Sequence, residues 1–203
     1  MYRPLRQAQR SAFTMIEMLA VIAIIATLAA MMLPAFGKVQ DRVRRSQCAS
    51  NLRQIGVGVF QYANDNNYDL PYAGNAYPTI QVNLAPYLPD YNKPKNPWIC
   101  PVAKKLHPTQ NLSYGFCYPF VTLRVKLSQV HSPSKKFYCM DAMWTGTYYG
   151  FNLQPSAYTG LPSSVVETHP ENNILFMDGH VEALTVEQML RGPESKGWGP
   201  LLD

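Results

Sequence analysis

Phe13-Thr14-Met15-Ile16-Glu17-Met18-Leu19-Ala20-Val21-Ile22-Ala23-Ile24-Ile25-Ala26-Thr27-Leu28-Ala29-Ala30-Met31-Met32-Leu33 is the segment on which the fold turns. A bilayer's hydrocarbon core takes roughly 20 helical residues at about 1.5 Å each, and this run is long enough to cross it. From Phe13 to Phe36, Glu17 is the only charged side chain. The segment therefore reads as a transmembrane helix. A secretory signal peptide is the simpler rival, but its apolar region runs about 7–15 residues and ends at an A-x-A-like site. This run is longer and holds no strict A-x-A.

The rest of the composition fits an anchor with a head. Of the 203 residues, 47% are hydrophobic and only 15% charged, against about 25% charged in an ordinary soluble domain. The net charge of +5 is unevenly placed, because Arg3, Arg6 and Arg10 lie in the first twelve residues with no acid beside them. A second basic group, Lys38, Arg42, Arg44 and Arg45, offset by Asp41, follows the apolar run. Basic clusters flanking an apolar segment suit anionic headgroups, whereas nucleic-acid binding calls for a basic face on a folded domain. Nucleic acid is therefore not an expected partner. The two clusters nearly balance, so the positive-inside rule alone leaves the orientation open.

Glu17 is the misplaced charge. A carboxylate inside a span costs roughly 2.5–3.5 kcal/mol at the helix centre and less near the interface, so it either snorkels to the headgroups or has a partner or function. Its setting, Arg10-Ser11-Ala12-Phe13-Thr14-Met15-Ile16-Glu17-Met18-Leu19-Ala20-Val21-Ile22, closely resembles the cleavage and methylation motif of type IV prepilins and type II secretion pseudopilins. The resemblance implies a cytoplasmic leader cut between Ala12 and Phe13 by a prepilin peptidase, which then methylates Phe13. Alanine stands at position 12 where the family usually has glycine. It also implies that Glu17 neutralises the terminal amine of a neighbouring subunit in a filament. Such a pair is worth little in water, but a lone buried partner costs several kcal/mol, which favours correct register. Pro34 matches a helix-disturbing proline of the family; read from its chemistry, it kinks the helix or ends it at the membrane surface.

Beyond Pro34, Cys48, Leu52, Ile55, Val59 and Tyr62 recur at spacings of four and three, the pattern of a helix packed by one stripe. Asn64-Asp65-Asn66-Asn67 is a polar stop. One helix of some fifty residues is expected from Phe13 to about Tyr62, its first half (13–36) lipid or filament core and its second (37–64) the spine of a head. After residue 70 stand 15 of the 17 prolines, so loops and short segments are expected over 65–203. They include a short helix at Asn83–Leu88 and strands at Tyr114–Leu123, Lys136–Met140 and Thr147–Phe151. Asp178-Gly179 predicts a two-residue turn in a hairpin over 174–184, pairing Phe176 with Val181 and Ile174 with Ala183 and setting these four on the long helix. Thr185 and Gln188 form a capping-box pattern for a helix reaching Arg191. The expected fold is α+β and pilin-like: a long N-terminal transmembrane helix, its C-terminal half packed on a small antiparallel sheet with proline-rich loops.

His169 followed after eight residues by Asp178-Gly179 resembles a C-terminal signature of a branch of prepilin-like proteins, where the usual gap is nine. Patches such as Cys48-Ala49-Ser50-Asn51-Leu52 and Trp98-Ile99-Cys100-Pro101 agree with that branch. Four cysteines admit three full pairings. An oxidising compartment permits disulfides; the shared patches imply Cys48 with Cys100, leaving Cys117 with Cys139. Without C-x-x-C, zinc is not expected. His180 and Glu182 share a solvated hairpin face, so no resident cofactor is expected; calcium enters only because some pseudopilins hold it in a C-terminal loop. No catalytic triad, phosphate loop or carboxylate pair stands out. Two readings follow. In one, the chain is a filament subunit that joins copies of itself or other pilin-like subunits at the inner membrane, with its head in the periplasm or at the cell surface. In the other, a single-pass anchor carries a binding or enzymatic head.

Overall fold

The computed structural model describes residues 14–72, 78–89, 96–106, 113–117, 120, 123–144, 150–151, 165–167, 171–185 and 187–188. The chain divides into two compact units, Met1–Arg42 and Val43–Asp203. Helix α1, Met15–Asp65, contributes to both and is helical through Pro34, so this proline does not end it. In the first unit every side chain from Thr14 to Leu33 is exposed.

In the second unit the stripe predicted from spacing is the buried face of α1. Cys48, Leu52, Ile55 and Val59 have almost no exposed surface, and Tyr62 is partly buried against the same core. Two ties hold this face to the loops. Cys48 forms a disulfide with Cys100, and one turn on, the buried Asn51 Nδ2 donates to Ile99 O at 3.0 Å. The helix stops where Asn67 (φ 54°) and Tyr68 (φ 63°) turn left-handed, and Tyr68 N donates back to Ala63 O at 2.7 Å. That bond satisfies one of the carbonyls a helix end leaves over.

The short helices are α2, Pro78–Leu84, and α3, Pro101–Leu106. Each begins at proline, whose missing N–H is no loss in a first turn. The helix expected at Asn83–Leu88 is therefore corrected: it starts at Pro78 and gives way to a turn before Pro86, which has no N–H to continue it.

Seven strands follow: β1 Gly115–Cys117, β2 Phe137–Met140, β3 Ala142–Trp144, β4 Gly150–Phe151, β5 Val165–Glu167, β6 Asn172–Phe176 and β7 Val181–Leu184. The main sheet has the order β4-β1-β2-β6-β7; its pairs are antiparallel except β4 with β1, and β3 pairs separately with β5. The expected α+β arrangement is the one found. The strand expected over Tyr114–Leu123 is shorter, ending at Cys117, and residues 147–149 of the third expected strand lie outside the described residues.

The hairpin register differs from the expected one by a residue. Leu175 pairs with Val181 and Ile174 with Glu182, and Phe176 N donates to His180 O at 2.9 Å. The loop is thus three residues, Met177-Asp178-Gly179, with Gly179 N bonded to Phe176 O and Gly179 at φ 90°. This is a tight turn closed by a glycine bulge. Relative to that expectation the slip turns the β6 side chains over, while Val181 of β7 keeps its place toward the core. Leu175, Met177 and Val181 join the core under α1, while Ile174 and Phe176 bury on the opposite face, where Phe176 meets Phe137 edge-on at 4.8 Å.

Candidate functional site

The N-terminus of α1 is built by Thr14 and Glu17. Glu17 N donates to Thr14 Oγ1 at 3.4 Å, while Glu17 Oε2 accepts from Thr14 N at 2.8 Å and Thr14 Oγ1 at 2.9 Å. This is a capping box, whose T-x-x-E pattern was legible in Thr14-Met15-Ile16-Glu17 but absent from the reading above. It turns the carboxylate back toward the helix start, where free N–H groups and the helix dipole favour negative charge. Glu17 Oε1 makes no protein hydrogen bond among the described residues. An acid fixed by one oxygen with the other open can receive a cation without losing its cap. Farther along the span, Thr27 Oγ1 donates to Ile24 O at 2.8 Å, so its hydroxyl needs no outside partner. Ala12 and Phe13 lie outside the described residues, and of Pro34 only the helical backbone is described.

The C-terminal signature residues do turn chemistry. Asp178 Oδ1 accepts from His180 N at 3.1 Å and also meets His180 Nδ1, and the His180 ring stacks on Phe176 at 4.2 Å. Gly179 lies against Phe60 of α1, where an added Cβ would stand 2.9 Å from the ring. Asp178 and Gly179 therefore seat the hairpin turn on the helix, and His169 lies outside the described residues. Thr185 and Gln188 complete their capping box, with Thr185 N donating to Gln188 Oε1 at 2.8 Å and Gln188 N to Thr185 Oγ1 at 3.2 Å.

The second disulfide is a correction. Cys117 and Cys139 are free thiols. Phe116 pairs with Cys139, so strand alternation sends Cys117 to the face opposite Cys139, and one bridge cannot join the two. Burial pushes the Cys117 thiol up to about 12 and raises Cys139 as well, which keeps both in the unreactive thiol form. Asp141 stands directly after β2. It is buried, with Oδ1 accepting from Asn173 N at 2.7 Å and Oδ2 from Asn173 Nδ2 at 2.5 Å, and burial pushes its carboxyl up to about 8. Among the described residues, no three His, Cys, Asp or Glu side chains come together as a metal set.

Residues 8–33 match the prokaryotic N-terminal methylation motif. No curated protein and no solved structure matches the chain. The matched residues include Ala12, Phe13 and Glu17 and extend to the end of Met15–Leu33, the one described helix segment long and apolar enough to cross a membrane. The motif supports a type IV pilin-like precursor and, with the exposed apolar helix, fits a single-pass membrane anchor.

Proposed function

We propose that this chain is a structural subunit, a prepilin or pseudopilin, of a filament assembled at the inner membrane. A prepilin peptidase removes residues 1–12 on the cytoplasmic side and methylates Phe13, and the head beyond the span faces the periplasm or the cell surface. The observation that carries this reading is the methylation motif at residues 8–33, whose part from Met15 to Leu33 is helical with every side chain exposed. A helix that is hydrophobic all round needs lipid or other helices about it. The subunit exchanges lipid for copies of itself or related subunits.

Glu17 supports the same reading. Its open Oε1 can take the terminal amine of a neighbouring subunit while Thr14 keeps Oε2. Buried in an apolar filament core, either charge alone costs several kcal/mol, so only the axial register that pairs them is tolerated. The role of the head is structural rather than catalytic. Shearing cells that produce the chain and examining the released material by electron microscopy with antibody labelling tests this. Labelled fibres are expected; a chain that stays wholly in the membrane fraction under producing conditions contradicts the proposal.

A further inference from the structure

Where α1 ends, within the Val43–Asp203 unit, a half-enclosed cavity of about 260 Å³ has Tyr62, Asp65, Asp69, Tyr72 and Arg124 in its wall. The last turn of α1 supplies Tyr62 and Asp65. The left-handed pair Asn67-Tyr68 then reverses the chain, and a bridge between Asp69 and Lys126 brings the segment carrying Arg124 alongside. Lys126 Nζ holds Asp69 Oδ1 at 2.9 Å and Asn67 O at 2.9 Å. Asp65 Oδ2 accepts from Tyr87 OH at 2.9 Å. Asp65 Oδ1 and Asp69 Oδ2 remain without a donor among the described residues. The Arg124 guanidinium lies 5.1 Å over the Tyr72 ring and has no acceptor among the described residues.

The charges decide what fits. Within the wall Asp65 is opposed by Arg124, and Asp69 is neutralised by Lys126, which lies outside the lining, so the site carries little net charge yet offers open acceptors and a fork of donors. An anion would meet Asp65 and Asp69, and a cation would meet Arg124. A purely apolar guest would strip water from open charges, a penalty of several kcal/mol. A small neutral ligand bearing many hydroxyls suffers none of these, because each hydroxyl both donates to carboxylate and accepts from guanidinium. Tyr62 and Tyr72 in the wall add apolar surface for its C–H groups. The volume lies just below the roughly 300 Å³ at which pockets for drug-sized ligands begin, which suits one sugar ring rather than several. We propose that this cavity is a binding site for a neutral hexopyranoside, such as a hexose or N-acetylhexosamine unit. This goes beyond the filament role and does not depend on it.

Saturation-transfer NMR on the full chain in a sugar-free detergent tests the site. The probes are the methyl glycosides of glucose, galactose, mannose and N-acetylglucosamine, with glucuronic acid and glucosamine as charged comparators. At least one neutral glycoside is expected to bind, with the strongest transfer at ring C–H protons. Asp65→Asn, which removes a charge-assisted contact, and Tyr72→Ala, which removes an aromatic surface, are each expected to weaken it by about tenfold. If either variant fails to fold, the exposed Arg124→Gln serves in its place, with the same expected loss. The proposal is overturned if no neutral glycoside binds, if a charged sugar binds more tightly than the neutral ones, or if the folded variants bind like the parent.

Discussion

Met15–Leu33 and Cys48–Ala63 are stretches of one helix with opposite fates. In the first, apolar side chains point in every direction and all are exposed; in the second, Cys48, Leu52, Ile55, Val59 and Ala63 form one buried stripe, and of the apolar side chains Val57 alone stays fully outside it. The glycines repeat the contrast. A methyl group at Gly37 would touch nothing within 4 Å, whereas at Gly58 it would stand 2.7 Å from Leu88 Cγ and at Gly56 3.0 Å from Leu175 Cδ1. Secondary structure is thus indifferent to the partner, and the side-chain pattern names it. An apolar cylinder asks for lipid or many helices, and an apolar stripe asks for one sheet.

The largest effect is expected from the first stretch. Glu17→Gln keeps the capping pattern, since glutamine also serves at that place, and removes only the charge. Membrane insertion should be unchanged and sheared fibres absent; abundant fibres from the variant would remove Glu17 from the assembly argument. In the second stretch, Cys48→Ser with Cys100→Ser should lower head stability by about 2–4 kcal/mol in urea unfolding of the detergent-solubilised chain. Insertion of the span should be unaffected. Gly58→Ala should follow at about 1–3 kcal/mol, because Leu88 must leave its place; an unchanged unfolding midpoint would show that the helix and the Leu88 turn are less closely packed than described.

Asp141 gives a pH signature confined to the head. Burial raises its carboxyl from the ordinary range to about 8, so the folded protein holds the proton more tightly than the unfolded chain. Its contribution is full below the ordinary carboxylate value and is lost as pH rises through about 8. The melting temperature should therefore climb by a few degrees from about pH 8 to about pH 5, and Asp141→Asn should flatten that slope. Smallest of all, Gly37→Ala should shift head stability by no more than about 0.5 kcal/mol, as an open position allows. A larger change would reveal a contact at Gly37.

The long helix, its buried stripe and its polar stop were legible because spacing and composition act locally. The hairpin's place was legible too, but not its register. All five residues of β6 are buried, so alternation does not mark which face meets α1, and Asp-Gly suits both a two-residue turn and a three-residue loop ending in a glycine bulge. Packing of Leu175 against Gly56 and of Gly179 against Phe60 fits the observed choice, and both contacts join residues more than a hundred positions apart. The fate of Cys117 and Cys139 depends likewise on which strand residues face each other. The Asp141–Asn173 pair was hidden for the same reason, since nothing near Asp141 in the chain announces a partner on β6.

On the proposed function, the exposed apolar half of α1 belongs to a processed filament subunit. Intact-mass measurement of the protein extracted from membranes tests it most directly. The mass should equal that of residues 13–203 plus one methyl group, with the methyl on the Phe13 amine. A chain retaining residues 1–12, or one cut elsewhere and unmethylated, would contradict the account and leave the helix as a plain anchor.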